Sequence, residues 1–116
     1  MKNKILTDIE WSKLEGRIKL LLFAGLDYCA NTNRTESLWF SPNNPYNAEA
    51  FGICQALEVL GYGYFGPDNE PRNTDNFNLK YWFRTLENEV RTIGQEMGPK
   101  ESFIWYKKIY YDLGTN

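Results

Sequence analysis

Apolar side chains recur along this chain at helical spacing, and their pattern predicts four helices. Thr7 followed three residues later by Glu10 has the form of a capping box, in which each side chain answers an orphan backbone N–H of the other residue. Behind it, Trp11, Leu14, Ile18, Leu21, Leu22 and Gly25 share one helical face, with Cys29 a turn further on. Glu15 and Lys19 stand four apart and are assigned to the opposite, wet face as an ion pair. The pattern predicts a helix over residues 8–29, with Gly16 and Gly25 as points of close helix–helix approach.

Periodicity then breaks over residues 31–46, which open with the turn-rich Asn31-Thr32-Asn33-Arg34-Thr35-Glu36. Pro42 and Pro45 forbid a continuous helix there, and the apolar patch Leu38-Trp39-Phe40 leaves room for a short strand. Asn47 is a suitable cap for a second helix over residues 48–60, with Phe51, Cys54, Leu57 and Leu60 on its core face. Gly61 would close it in a left-handed conformation. After a second irregular stretch, residues 61–75, a third helix is predicted over residues 76–97. Its Leu79, Phe83, Leu86, Val90, Ile93 and Met97 alternate steps of four and three, a seam for packing on other helices, and Glu87 and Arg91 form an i,i+4 pair. Gly98-Pro99 ends it. A last helix, residues 100–113, carries Phe103, Tyr106, Ile109, Tyr110 and Leu113 on one side and is closed by Gly114. The expected fold is all-α: one helical domain over residues 1–116, with about four helices and two long connections that bear aromatics and have room for short strands.

Composition sharpens this picture in two places. With 16% aromatic residues, the chain has more flat apolar surface than a generic core of 116 residues requires, so some of it calls for a functional explanation. The net charge of −2 is spread unevenly: residues 31–79 hold two Lys/Arg against six Asp/Glu, while each flanking segment is near neutral. Nucleic-acid binding needs a basic stripe that can neutralise phosphates, and none is visible, so nucleic acid is disfavoured as a partner. The longest apolar run, Leu20 to Leu26, is far short of the ~20 residues that span a bilayer, and no apolar region follows the first charged residues as in a signal peptide. A cytoplasmic location is expected, with Cys29 and Cys54 as two buried, reduced thiols and a Cys29–Cys54 disulfide as the alternative.

The chemistry that can be read from residue types is mostly absent. The chain has no histidine, which removes the commonest general base together with Ser-His, Cys-His and most zinc arrangements. Gly61, Gly63 and Gly66 follow a helix instead of joining a strand to a helix, so they read as turn residues and not as a phosphate loop. A calcium loop starting at Asp68 fails at Asn73, where glycine is needed, and at Leu79, where a bidentate Glu is needed. Glu87 and Glu89 point in different directions from one helix and are assigned to its solvated face, while Asp68, Glu70 and Asp75 sit in a polar stretch. No catalytic residue, metal ligand or cofactor is assigned.

The aromatics offer two candidate surfaces. Trp39, Phe40 and Tyr46 lie in the first connection and Tyr62, Tyr64 and Phe65 in the second, with Arg34 and Arg72 nearby to pair with or stack on a flat ligand. These side chains either plug the ends of the bundle or remain exposed as anchors. The last helix carries Ile104, Trp105 and Tyr111 beyond its one-sided set, more than one buried stripe can hide, which makes these three, with Tyr110 from that set, the candidates for an interface with another chain.

The segment Gly52-Ile53-Cys54-Gln55-Ala56-Leu57, in a short acidic chain, resembles small accessory proteins of phages and other mobile elements. The likeness spans one helix, and it implies an accessory or inhibitory protein that binds a host component. The leading expectation is a non-enzymatic, cytosolic binding module that works through protein–protein contacts and associates with itself. The alternatives are a small-ligand or nucleotide binder using an aromatic loop pocket, and an enzyme built on carboxylates that only the fold brings together.

Overall fold

The computed structural model describes residues 6–31, 44–62 and 79–114, with side chains of the last helix as far as Asp112. These residues form four helices and no strand: α1 (Asp8–Asn31), α2 (Pro45–Val59), α3 (Leu79–Met97) and α4 (Pro99–Gly114). The short strand allowed at Leu38–Phe40 and the start of the third helix before Leu79 lie outside the described residues.

The capping box forms as the sequence predicts. The Thr7 N–H donates to Glu10 Oε1 at 2.8 Å, and the Glu10 N–H donates to Thr7 Oγ1 at 3.1 Å. Between Ile18 and Leu26 α1 has almost no wet side: Ile18 and every residue from Leu20 to Leu26 are buried. Consecutive residues on a helix point about 100° apart, so burial of seven in a row requires neighbours on all sides. Those neighbours are α2, α3 and α4. Asn44 meets Gly25 and Cys29, and Tyr62 meets Trp11, so α2 runs back along α1. Trp82 sits beside Glu15 and Lys19 reaches Glu89, so α3 runs parallel to α1. Phe23 packs on Trp105 and Tyr106, and Gly16 faces the Tyr110 ring, so α4 runs antiparallel.

Three helix boundaries and one charged pair differ from expectation. The cap of α2 is Asn44, whose Oδ1 accepts from the N–H groups of Tyr46 and Asn47. Pro45 occupies the first helical position, where its missing N–H has no partner to lose, so it begins the helix and does not block it. Asn47 is consequently a buried residue inside the first turn. At the other end Gly61, with φ 91°, closes α2 in a left-handed turn: its N–H donates to the Glu58 carbonyl and that of Tyr62 to the Leu57 carbonyl. Leu60 is therefore the C-cap and half exposed, not part of the core face. Similarly, α4 begins at Pro99, directly after Gly98 with φ 95°. Glu15 and Lys19 do not face water as a pair. Glu15 accepts from the Trp82 indole N–H at 3.1 Å, and Lys19 donates to Glu89 at 2.7 Å, so both reach across to α3.

The core joins Ile18, Leu21, Leu22, Phe23 and Leu26 of α1 to Ala50 and Cys54 of α2 and to Phe83, Leu86 and Val90 of α3, with Phe103 and Tyr106 of α4 laid against it. The α3 seam is thus buried as predicted at Leu79, Phe83, Leu86 and Val90, half-buried at Ile93, and exposed at Met97, the last residue of the helix. Gly94 lets α1 approach this seam closely, since a β-carbon there would stand 2.7 Å from Leu26 Cδ1 and that side chain would have to shift.

Candidate interaction surface

The seven large side chains that the sequence scatters around the last helix separate cleanly once α1 is in place. Phe103, Tyr106, Ile109 and Tyr110 turn inward and are partly buried, while Ile104, Trp105 and Tyr111 turn outward at 55%, 41% and 52% exposure. The inward arc is built on α1. Tyr106 lies 5.0 Å from Phe23, centroid to centroid, and the Tyr110 ring would touch a β-carbon on Gly16 at 3.4 Å. Burial pushes the Tyr106 hydroxyl above its ordinary value, with smaller contributions from Glu89 and Glu15, so it stays protonated across the physiological range.

Three of the four interface candidates are therefore exposed: Ile104 and Tyr111 share the outward face, while Trp105 stands roughly 100–120° further round, where it also lies edge-on to Phe23 at 6.4 Å. Tyr110 is the exception: it packs on α1 and meets Tyr111 edge-on at 5.3 Å, because Gly16 leaves a hollow that its ring fills. Ile104 and Tyr111, seven residues apart, project within roughly 20° of each other. Lys100, Lys107 and Lys108 are exposed around them. In chemical terms this is an apolar ridge with a cationic surround.

Of the loop candidates, Arg34, Trp39, Phe40, Tyr64, Phe65 and Arg72 lie outside the described residues. Tyr46 and Tyr62 can be placed. Tyr46 stands in the first turn of α2, 39% exposed and edge-on to Tyr28 at 5.9 Å. Tyr62 follows the other end of α2 and lies edge-on to Trp11, also at 5.9 Å. Sixteen residues of mostly helical rise separate them by roughly 24 Å, so these two tyrosines do not share a pocket. Tyr62 belongs instead to an aromatic group with Trp11 and Trp82, whose rings are 5.4 Å apart, tied to Glu15 by the Trp82 indole. Trp82 was not singled out by sequence, because its position beside the α3 seam gives no sign of a partner on α1.

Glu87 also departs from its assignment to the solvated face. It is 9% exposed and stands close enough to Cys54 of α2 to perturb it. Burial raises the Glu87 carboxyl above its ordinary value, against a smaller opposing pull from Arg84 and Arg91. Burial, and then Glu87, push the Cys54 thiol up to about 12, so it carries essentially no thiolate at neutral pH and is a poor nucleophile. Cys29 is likewise buried, and both cysteines are free. Among the described residues no three Cys, Asp or Glu side chains gather as a metal site would require, and no helix is long and apolar enough to cross a membrane.

The Gly52–Leu57 segment behind the resemblance to mobile-element proteins lies in α2. Its Cys54 and Leu57 are core residues, and Gly52 faces open space. No family model matches the chain, and neither a curated protein nor a solved structure matches it.

Proposed function

We propose that this protein is a non-enzymatic binding module that acts through protein–protein contacts made by the outward face of α4. One observation carries the reading: Ile104, Trp105 and Tyr111 remain substantially in water although four other large apolar residues of the same helix already satisfy its packing against α1. Single exposed apolar residues are ordinary, but Ile104 and Tyr111 side by side, with Trp105 exposed further round the same helix, form the kind of patch that marks an interface, and Trp and Tyr are enriched among residues that dominate binding energy. An accessory or inhibitory role toward a host component, as the Gly52–Leu57 resemblance implies, belongs to the same reading, and the expected self-association is the alternative use of the same face.

Native mass spectrometry on the protein from its own lysate, compared with an Ile104→Glu/Tyr111→Lys variant, tests it. The wild type is expected in an assembly heavier than the 13.6 kDa chain, and the variant as a lone chain with unchanged helical circular dichroism. A wild type found alone in the lysate, or a variant that unfolds instead of dissociating, overturns the proposal.

A further inference from the structure

The charges around the Ile104–Tyr111 ridge limit what can lie on it. Steps of about 100° per residue place Lys100 and Lys107 together on one flank, with no acid between them. The other flank is mixed, with Lys108 followed by Glu101, Asp112 and Trp105 further round. Among the described residues no ion pair takes up the lysine charge. The ion pairs Arg17–Glu49 and Lys19–Glu89, which join helices among the described residues, involve none of the three. Glu101 is turned back over the start of α4, with Oε1 3.1 Å from where a β-carbon on Gly98 would stand, and Lys107 Nζ lies 5.6 Å from the Phe103 centroid. That cation–π contact holds the ammonium along the flank and leaves its charge unmatched.

A second copy of the chain is a poor occupant. Packed parallel about a two-fold axis, two α4 helices set each flank against the other, so that Lys107 meets Lys108 of the second copy, whereas packed antiparallel they set each flank against itself. In the antiparallel case the all-basic flank opposes itself, Lys100 facing Lys107 across the axis. Like charges so placed are repulsive in either case. An apolar ridge beside a basic flank is complementary to a helix with an apolar stripe bordered by carboxylates. Resting on the binding-module reading, we infer that the outward face of α4 holds an acidic amphipathic helix from a different protein, its apolar residues over Ile104 and Tyr111 and its carboxylates along Lys100 and Lys107.

The test uses the full chain and three fluorescein-labelled helical peptides read by anisotropy: one with a Leu stripe flanked by Glu, one with Lys in place of each Glu, and a scrambled acidic control. The acidic peptide is expected to bind at least ~10-fold more tightly than the Lys peptide at low salt, and to lose most of that advantage in high salt. The exposed Lys100→Glu/Lys107→Glu variant, with unchanged circular dichroism, should reverse the preference. Ile104→Glu should abolish binding of both. Equal binding of all three peptides, no binding of the acidic one, or a preference untouched by the charge reversal overturns the inference. So does binding to phosphatidylglycerol vesicles in place of the peptide. Light scattering that shows a wild-type dimer, split by Ile104→Glu, would overturn the acidic partner while leaving the binding-module reading intact. A wild type found alone in its own lysate would remove that reading itself.

Discussion

Replacing Leu86 and Leu60 by alanine, one at a time, compares identical chemistry in two environments that the fold makes unlike. Leu86 is 4% exposed in the middle of the core, and Leu60 is 55% exposed at the C-cap of α2. Removing the Leu86 side chain forfeits its transfer energy and leaves a cavity closed in by α1 and α2. Such truncations cost ~2–5 kcal/mol. Less than half of the Leu60 surface is withdrawn from water, and water can enter the space it vacates, so its loss should cost about 1 kcal/mol or less. Urea lowers the stability of domains of this size by ~1–3 kcal/mol per molar, so the midpoint should fall by roughly 1–2 M for Leu86→Ala and by about 0.5 M or less for Leu60→Ala. Equilibrium unfolding in urea, followed by helical circular dichroism, measures both. Equal shifts for the two variants, or none for Leu86→Ala, would refute the facing of α3 toward α1 and α2.

Glu87→Gln gives a pH signature. Because the folded value of Glu87 lies above its ordinary 4.5, its contribution to stability is fully present below that pH and is lost as pH rises through the folded value. Glutamine has no proton to lose, so the variant should be more stable than wild type near neutral pH, and the gap should close in acid. Urea midpoints across this range decide it, and a variant less stable at neutral pH would mean that attraction to Arg84 and Arg91 outweighs burial. A disulfide-exchange reagent should find no reactive thiol in the native protein and both Cys29 and Cys54 in urea, since both are buried and free. Rapid reaction of either thiol without denaturant would contradict the packing of α1 against α2.

What was legible in the sequence was what neighbouring residues settle among themselves. The Thr7–Glu10 box and the Leu79–Val90 part of the α3 seam depend on contacts within a turn or two, and both formed where the pattern put them. The start of α2 was misplaced because Pro45 acts as a breaker within a helix and as a starter at its first position, and the residues around it do not distinguish the two. Glu15, Lys19 and Glu87 were misassigned for a different reason. A charged residue beside an apolar stripe can face water or a neighbouring helix, and only the placement of α3 against α1 and α2 decides which. The candidate surface was half legible. The excess of aromatics on α4 was evident, but that Tyr110 packs inward while Tyr111 does not follows from the hollow at Gly16, on a helix nearly a hundred residues earlier.

The burial of α1 on every side separates recognition from architecture. From Leu20 to Leu26 α1 has no position where a polar side chain could reach water, so changes there disturb three helices together. The outer residues of α2, α3 and α4 are not bound in that way, because each of these helices is held from its inner side. Ile104 and Tyr111 could be exchanged for other side chains, one by one, with little effect on the scaffold. A lineage carrying this fold could therefore trade one partner for another along α4 at little risk to folding, while its central helix stays nearly fixed.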